Sequence, residues 1–357
     1  MDLTDHRGEG NGSSDGLTPQ GERREDEPAG PEDGVFDVTI IGAGPTGLFG
    51  AFYAGMREMK TKIIDALPEV GGQLTALYPE KYIYDAPGYP KIIAKDLVKQ
   101  LLEQAAQWNP AICLDERVLM LKHREDGIIE LTTSKGAHLT RTVALCAGVG
   151  AFYPNKLSAP GLEALEGAAV FYFVKEKAAF KDKNLLIVGG GDSAVDWGLN
   201  LQDTARSITL IHRRDEFRAH ESSVNELKAS PVRILTPYEV RSVSGSGKIE
   251  QVTIFHNKTE EEETLDVDAI LVNIGFKADL GPIKEWGLAM EKRGVLVNSR
   301  METNLPGVYA AGDIAAVEIK MDLIATGYAQ AALAVNLAKH YIDPTAKVFP
   351  GHSSEKM

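Results

Sequence analysis

Residues 35–47 read VFDVTIIGAGPTG, and this stretch decides the fold of the 357-residue chain. An apolar strand leads directly into three glycines with the spacing Gly-x-Gly-x-x-Gly, and a helical pattern follows them. Glycines at such a turn let the backbone approach a pyrophosphate, whose negative charge then lies at the helix N-terminus. We therefore predict a dinucleotide site that includes Gly42, Gly44, Thr46 and Gly47.

The same pattern occurs a second time. The apolar run 184–188 leads into the sequence GGGDSA at residues 189–194, again ahead of a helical pattern. A single copy of such a motif is weak evidence, whereas two copies in the same strand-to-helix context are difficult to attribute to chance. The second copy predicts another pyrophosphate site, formed by Gly189, Gly191, Asp192 and Ser193.

The strands that follow the two turns end in opposite charges. Asp65 lies 21 residues after Gly44, and Arg213 lies 22 residues after Gly191. A carboxylate at this distance binds an adenosine ribose, whereas arginine pairs with a ribose 2′-phosphate. The first site therefore suits FAD or NAD and the second NADP, and electrons are expected to pass between the two. The residues predicted around the 2′-phosphate are Arg213, Arg214 and Arg218, with His212 as a further NADP-binding residue, although an arginine cluster can also be a salt-bridged face.

Composition limits the other possibilities. Residues 1–34 hold ten acidic residues and three arginines, a net charge of −7 out of −13 for the chain, and we predict a disordered acidic tail. The remainder is only mildly acidic, and its bulk charge gives no case for nucleic-acid binding. The chain lacks a membrane-length apolar stretch and a signal-peptide pattern, so we expect a cytoplasmic protein without membrane association. Two distant cysteines, Cys113 and Cys146, predict buried packing residues and no metal site.

The order of the patterns predicts an α/β fold with two Rossmann-like dinucleotide-binding domains. The first unit closes with a strand at 142–146, and the second contains a β-rich insertion at 233–242 and 249–255. The run 260–263 is expected to be a solvated hairpin tip. A last strand at 307–311 and a helix from about 323 to 341 do not repeat the glycine motif. The simplest arrangement is an NADP-binding domain, 153–279, inserted into a discontinuous FAD-binding domain, 35–152 and 280–357.

Further motifs carry a family resemblance. They are GGQL at 71–74, PGYP at 87–90 and Gly312-Asp313, in addition to the two glycine turns and His212-Arg213-Arg214. With them the sequence resembles the thioredoxin-reductase-like class of ferredoxin-NADP+ reductases over essentially everything after the tail. These motifs are shared with thioredoxin reductases, so the resemblance implies the thioredoxin-reductase-like fold and the cofactors FAD and NADP(H) more firmly than the electron acceptor.

The segment before the second glycine turn separates the two kinds of reductase. Thioredoxin reductases carry a Cys-x-x-Cys pair there, but residues 171–176 of this chain read FYFVKE. Electrons must then leave the flavin for an external acceptor, which the resemblance makes a ferredoxin or flavodoxin. It implies hydride exchange at flavin N5 and single-electron exchange with the carrier. Lys81, Lys91 and Lys95 could form a basic docking patch, or they could be ordinary surface lysines.

The resemblance also implies individual flavin contacts. Gln73 and Tyr78 are placed beside the isoalloxazine, the Val118 backbone at the adenine, Phe152 at the crossover and Asp313 at the ribityl chain. The helix that starts near Leu323 is expected to direct its positive end at flavin N1 and O2. Tyr78 could alternatively be a loop aromatic that packs on prolines. We expect no catalytic acid or base, since the flavin carries the chemistry.

The resemblance implies a homodimer in which the C-terminal extension of each subunit covers the flavin of its partner. His352 fits the covering role best and Phe349 is second, while Ser354 is a further flavin contact; a frayed terminus is the alternative. Three other functions stay open at this point: an NADPH-dependent diaphorase that reduces quinones or free flavins, a non-catalytic flavin sensor, and, least supported, a monooxygenase.

Overall fold

The structure is a computed structural model, and it describes residues 34–292 and 294–351. Residues 1–33 of the predicted tail, together with His352 and Ser354, lie outside the described residues. No helix in the described part is long and apolar enough to cross a membrane. The first part of the chain forms β1 (Val35–Ile41), α1 (Pro45–Met56), β2 (Thr61–Ile64), α2 (Gln73–Leu77), β3 (Tyr82–Ile83), β4 (Ile92–Ile93), α3 (Ala94–Ala106), β5 (Ala111–Cys113), β6 (Val118–His123), β7 (Ile129–Thr133) and β8 (Ala137–Leu145).

The middle and last parts of the described chain add further strands and three more helices. Its middle part contains β9 (Ala151–Pro154), β10 (Val170–Phe171), β11 (Asn184–Val188), α4 (Asp192–Leu201), β12 (Ser207–Ile211), α5 (Glu221–Ala229), β13 (Arg233–Leu235), β14 (Tyr238–Gly245), β15 (Ile249–His256), β16 (Glu262–Leu265), β17 (Ala269–Val272) and β18 (Phe276–Asp279). Its last part contains β19 (Met290–Glu291), β20 (Gly294–Leu296), β21 (Val308–Ala310), β22 (Ala315–Ala316) and α6 (Ile324–Ile342).

The first sheet takes strands from both ends of the described chain. Its order is β5-β2-β1-β8-β7-β6, and β21 adds to β8 in parallel. Strand β1 is apolar almost throughout because it lies between two parallel neighbours with both faces covered; Val38 and Ile40 are fully buried. Its fingerprint glycines therefore emerge at the carboxyl edge of the sheet, where ligands bind in folds of this kind.

The second sheet is formed entirely by the intervening residues. Its order is β10-β17-β11-β12-β13, all parallel, and β14, β15 and β16 form a separate antiparallel sheet. The chain enters this region through β9 and leaves it through β18, which pair with each other in an antiparallel ribbon. This topology confirms the predicted insertion of one Rossmann-like unit into another.

One local prediction requires correction, and a second is confirmed. The segment 233–242 is not one insertion strand: β13 joins the parallel sheet and β14 starts the antiparallel one, with Pro237, which has no amide to donate, between them. The acidic run 260–263 does lie at a hairpin tip between β15 and β16, with residues 260–262 exposed, and its carboxylates also form ion pairs. Arg241 pairs with Glu260 and Glu262, and Arg233 pairs with Glu263 through two hydrogen bonds of 2.8 and 2.9 Å.

Candidate active site

A cavity of about 490 Å³ lies at the carboxyl edge of the first sheet, within the size range of cofactor pockets. The structure brings most of the predicted FAD residues together in its lining: Gly42, Gly44, Thr46, Asp65, Gln73, Tyr78, Val118, Phe152 and Asp313. Gly47 is not in the lining. Residues that the sequence did not single out also line it, among them Asp85, Glu116, Arg117 and Trp286.

The glycines of the first turn have different tasks. Gly42 has φ +112°, and a Cβ there would lie 2.3 Å from the carbonyl oxygen of Cys146. A Cβ on Gly47 would lie 1.9 Å from the carbonyl oxygen of Gly42, so this glycine lets α1 pack on the turn. Gly44 is different, because a Cβ there would meet nothing within 4 Å. It precedes α1 and leaves open space at the helix N-terminus, which fits a pyrophosphate.

Asp65 ties the end of β2 to the glycine turn. Its Oδ2 accepts the amide N–H of Ala43 at 2.6 Å, and its Oδ1 accepts that of Leu67 at 2.8 Å. Burial raises the pKa of this carboxyl group, while the backbone hydrogen bonds lower it. The side chain is thus held in one orientation at the cavity wall. Its remaining lone pairs can accept hydrogen bonds from the hydroxyl groups of a ribose.

At the other end of the cavity, Gln73 and Asp313 lie together. Burial, and after it the nearby Asp322, raises the pKa of the Asp313 carboxyl group. A hydrogen bond from Gln73 opposes this shift and lowers the pKa. Burial also raises the pKa of Tyr78 to about 12, so its hydroxyl stays protonated at neutral pH. Polar groups that can bind a ribityl chain and an aromatic ring that can face an isoalloxazine therefore share this end.

The N-terminus of α6 reaches the cavity through Leu323 and Ile324, as predicted. Its first amide, that of Ile324, donates to Oδ2 of Asp85 at 2.9 Å. Sequence reasoning missed Asp85, since it lies 239 positions away and belongs to no motif that names a helix cap. The carboxylate offsets part of the positive helix end, so the dipole acting on a bound ring is weaker than the helix alone would supply.

The second glycine turn repeats the geometry of the first. A Cβ on Gly189 would lie 2.2 Å from the carbonyl oxygen of Asn273, whereas one on Gly191 would meet nothing within 4 Å. Gly191 precedes α4, so the open space again lies at a helix N-terminus. Asp192 and Ser193 begin that helix, and Oδ1 of Asp192 accepts the amide N–H of His220 at 2.9 Å. This turn fits a second pyrophosphate.

His212 lies beneath this turn and is buried. A Cβ on Gly190 would lie 2.3 Å from its imidazole ring, and its Nε2 lies 3.2 Å from the carbonyl oxygen of Glu216. Burial, followed by nearby arginines, lowers its pKa, which favours the neutral ring. The geometry indicates that His212 supports the turn. Its predicted contact with a phosphate stays a prediction.

The three arginines after β12 are exposed. Arg213, Arg214 and Arg218 lie close enough to His212 to lower its pKa, so their charges share one region. Within residues 34–292 and 294–351, none of the three belongs to an ion pair, unlike Arg233 on β13 and Arg241 on β14. A salt-bridged face would show acidic partners. The cluster therefore presents guanidinium groups that are available to a phosphate.

The two halves meet beside Tyr78, whose ring packs against the hydrophobic cores of both. Lys81 follows it, and its Nζ lies 2.8 Å from Oδ2 of Asp196 on α4 and 5.4 Å from the ring centroid of Trp197. Glu80 accepts the amide N–H of Lys177 at 3.0 Å. The contacts of Lys81 thus join the cavity wall to α4, the helix that follows the second glycine turn.

This contact changes the interpretation of the three candidate docking lysines. The Lys81 side chain is only 15% exposed and holds the halves together, so its placement in a basic surface patch was wrong. Lys95 is exposed but pairs with Glu80 at 2.7 Å. Lys91 is exposed, with Nζ 4.6 Å from the ring centroid of Tyr82, and forms no ion pair with the described residues.

Aromatic side chains occupy the segment where a redox-active cysteine pair would lie. The Tyr172 hydroxyl donates to Glu166 at 2.8 Å, and the Phe173 ring stacks on Phe276 with centroids 5.4 Å apart. Both cysteines of the chain are free, and neither falls in this segment. A flavin bound in the cavity has no internal disulfide to reduce at this position.

Two Rossmann-like units, each with a dinucleotide-binding turn, define a flavoprotein oxidoreductase that uses a pyridine nucleotide. The chain belongs to the pyridine nucleotide-disulphide oxidoreductase family, whose sequence model matches residues 36–337.

Its relatives include two ferredoxin–NADP reductases. That of Halalkalibacterium halodurans is 54% identical over 321 residues, and that of Thermus thermophilus is 54% identical over 325 residues. Each match covers 90% of this chain and 97% of the relative. The crystal structure of Lactococcus lactis thioredoxin reductase is 26% identical, has a TM-score of 0.71, and is matched over 86% of this chain and 99% of that one.

Proposed function

We propose that this protein is a ferredoxin–NADP reductase, which transfers electrons between NADP(H) and ferredoxin or flavodoxin through FAD. The observation that carries the proposal is the combination of two intact dinucleotide turns with an aromatic segment in place of a cysteine pair. The names of the relatives support ferredoxin as the acceptor. The carrier can be a one-electron protein because FAD accepts a hydride and releases electrons singly.

The residues of the cavity have separate tasks in this proposal. The turn at Gly44 holds the FAD pyrophosphate, and Asp65 accepts hydrogen bonds from the adenosine ribose. Asp313 binds the ribityl chain, with Gln73 fixing its orientation. Tyr78 lies against the isoalloxazine and keeps water from one side of it. The adenine contacts the Val118 backbone, and Phe152 lies where the chain crosses to the second unit.

The second site selects and positions the nucleotide. The turn at Gly191 holds the NADP pyrophosphate, and Arg213 and Arg214, with Arg218, bind the 2′-phosphate. The helix that carries this turn contacts Lys81, beside Tyr78, so the nucleotide-binding unit rests on the wall of the flavin cavity. No side chain has to move a proton during hydride transfer, because the exchange takes place between the two cofactors.

The domain boundaries belong to the proposal. We place FAD binding in residues 35–152 and 280–357 and NADP binding in 153–279. The first boundary then lies in β9 and the second at the end of β18, and these two strands pair with each other. NADPH and its protein electron carriers are cytoplasmic reagents, so we propose that the enzyme acts in the cytoplasm.

The C-terminal extension and a homodimer are also part of the proposal. Buried Arg57 donates to the carbonyl oxygens of Lys347 at 2.9 Å and Val348 at 3.4 Å, and it also bonds to the Asn336 side chain. The extension is thus fixed to its own subunit as far as Val348. Phe349, the next side chain, is 63% exposed. We propose that the segment beyond Val348 covers the flavin of the partner subunit, with the ring of His352 or Phe349 and with Ser354.

Truncation tests the role of the extension. Cutting after Val348 keeps the Arg57 contacts, so the shortened protein should fold and retain FAD. We expect higher flavin fluorescence and altered reductase turnover, because the ring is no longer covered. Fluorescence and kinetics equal to those of the full chain would contradict the covering role. Sedimentation of both proteins would establish the oligomeric state independently.

A spectroscopic titration tests the function. Full-length protein containing FAD is mixed with NADPH without oxygen, and the flavin absorbance is followed before and after ferredoxin is added. The proposal predicts rapid bleaching and then reoxidation by ferredoxin or flavodoxin. Bleaching with turnover on a small quinone or free flavin alone would identify a diaphorase. Slow or absent bleaching would overturn the NADPH assignment and favour a flavin sensor.

A further inference from the structure

A cluster of metal-binding side chains lies outside the two nucleotide sites. Cys113 ends β5, Glu116 follows in the next loop, and His138 lies near the start of β8. One ligand atom from each residue lies within 4.8 Å of those of the other two. Cys113, expected from the sequence to be a buried packing residue, packs against the core of the first unit but is partly exposed.

We propose that Cys113, Glu116 and His138 form a binding site for Zn²⁺. Thiolate sulfur, carboxylate oxygen and imidazole nitrogen are the ligands that zinc takes in proteins, and three of them leave a fourth position for water. Nε2 of His138 lies 2.7 Å from Oε1 of Glu116, so these two ligand atoms already point toward each other. Cys113 Sγ lies within 4.8 Å of a ligand atom of each of the other two residues, close enough for the three to share one metal ion.

Neighbouring side chains already orient the ligands. The Thr133 hydroxyl donates to Glu116, and Lys62 Nζ lies 2.6 Å from Nδ1 of His138, on the ring edge away from Glu116. The Thr133 bond is of the kind that fixes a carboxylate ligand in zinc sites. The Lys62 contact belongs instead to a competing role for the same atoms, a hydrogen-bonded Lys62–His138–Glu116 chain, because a lysine ammonium donates to Nδ1 and cannot accept its proton. Zinc binding must release the thiol proton and one proton from the Lys62–His138 pair.

The backbone connects this cluster to the ribose end of the flavin cavity. The amide of Asp65 donates to the carbonyl oxygen of Cys113 at 2.9 Å, and the amide of Glu116 donates to the carbonyl oxygen of Asp65 at 2.9 Å. Glu116 also lines the cavity. Zinc would thus hold the loop that anchors Asp65 and slow the release of FAD. This effect rests on the proposed flavin site, whereas zinc binding itself does not.

The test is zinc binding by the full-length protein with FAD bound, in a reducing buffer without chelator. Calorimetry and metal analysis after dialysis should show one zinc per chain at this site. Cys113→Ala and His138→Gln should each weaken binding by at least about 100-fold, the upper end of what outer contacts alone contribute. His123→Gln is the matched control, because His123 is exposed on β6 and, among the described residues, its ring contacts the carbonyl oxygen of Pro306.

The remaining outcomes separate the explanations. Wild-type protein that binds no zinc would overturn the proposal and leave the Lys62–His138–Glu116 chain as the role of the cluster. Equal binding by wild type and both variants would also overturn it, since the zinc would then lie elsewhere. If a variant loses FAD, or if its circular dichroism spectrum shows that it is unfolded, Cd²⁺ added to wild type provides a second readout. An ultraviolet cadmium–thiolate band that Cys113→Asp removes supports the site, and its absence from wild type contradicts it.

Discussion

Replacing Arg213 and Arg214 by alanine should remove the preference for NADPH over NADH without affecting the flavin site. Both side chains follow β12 and are exposed, and neither forms an ion pair within the described part of the chain. Their removal therefore leaves no buried carboxylate unpaired. The loss should appear only where a 2′-phosphate is bound.

The magnitude follows from the contacts that each guanidinium can form. A hydrogen bond to a charged group contributes about 1.5–3 kcal/mol, and about 1.4 kcal/mol corresponds to a tenfold change in affinity. Because water reaches both arginines, we take the lower end of this range, about tenfold per arginine. The double variant should lose about 100-fold in kcat/KM for NADPH if the two contacts are independent. NADH has no 2′-phosphate, so its kcat/KM should change by less than about twofold.

The assay is anaerobic flavin reduction with each nucleotide at several concentrations. Arg206→Ala is the matched control, because Arg206 is exposed just before β12, at the opposite end of that strand. It should leave the ratio of kcat/KM for NADPH and NADH unchanged. An unchanged ratio in the Arg213 and Arg214 variants would refute the arginine assignment. An equal loss with both nucleotides would instead indicate damage to the fold of the second unit.

Three further predictions concern the first unit. Gly47→Ala should lower the free energy of unfolding by about 1–3 kcal/mol, because its Cβ would lie 1.9 Å from the Gly42 carbonyl oxygen. Gly50→Ala is the control: its Cβ would have neighbours at 3.5 and 3.6 Å, so the substitution should be neutral or stabilising. Thermal unfolding measures both. Asp65→Asn should weaken FAD retention on gel filtration without a comparable loss of folded protein, and full retention would contradict the ribose role. Lys81→Gln should loosen the contact between the halves, seen as faster hydrogen exchange in α4 and a changed rate of flavin reduction, while unchanged exchange would contradict it.

The sequence was sufficient to predict the strands that carry the nucleotide turns. The structure has β1, β11 and β12 with the predicted boundaries, because buried parallel strands are continuous apolar runs and the glycines or charges after them mark where each strand ends. The antiparallel region was less predictable. Its strands are partly exposed, so their patterns are interrupted by polar residues and do not reveal which neighbour each strand joins.

Contacts between distant parts of the chain could not be predicted at all. Asp85 at the start of α6, the pairing of Lys81 with Asp196, and the proximity of Cys113 to His138 depend on how separate elements pack. No local spacing encodes any of them. The aromatic segment 171–176 is the opposite case, because there the absence of cysteine was visible directly in the sequence.

The two nucleotide turns show how one short motif specifies both a fold and a ligand site. In each turn the first glycine is required by the protein itself, because a Cβ would strike the backbone of a neighbouring strand end. The glycine just before the helix has no such constraint: at Gly44 and Gly191 a side chain would enter empty space. Folding does not require glycine at these two positions, whereas a pyrophosphate at each helix N-terminus, as proposed, would require it. The two glycines therefore support two dinucleotide sites independently of the names of any relatives.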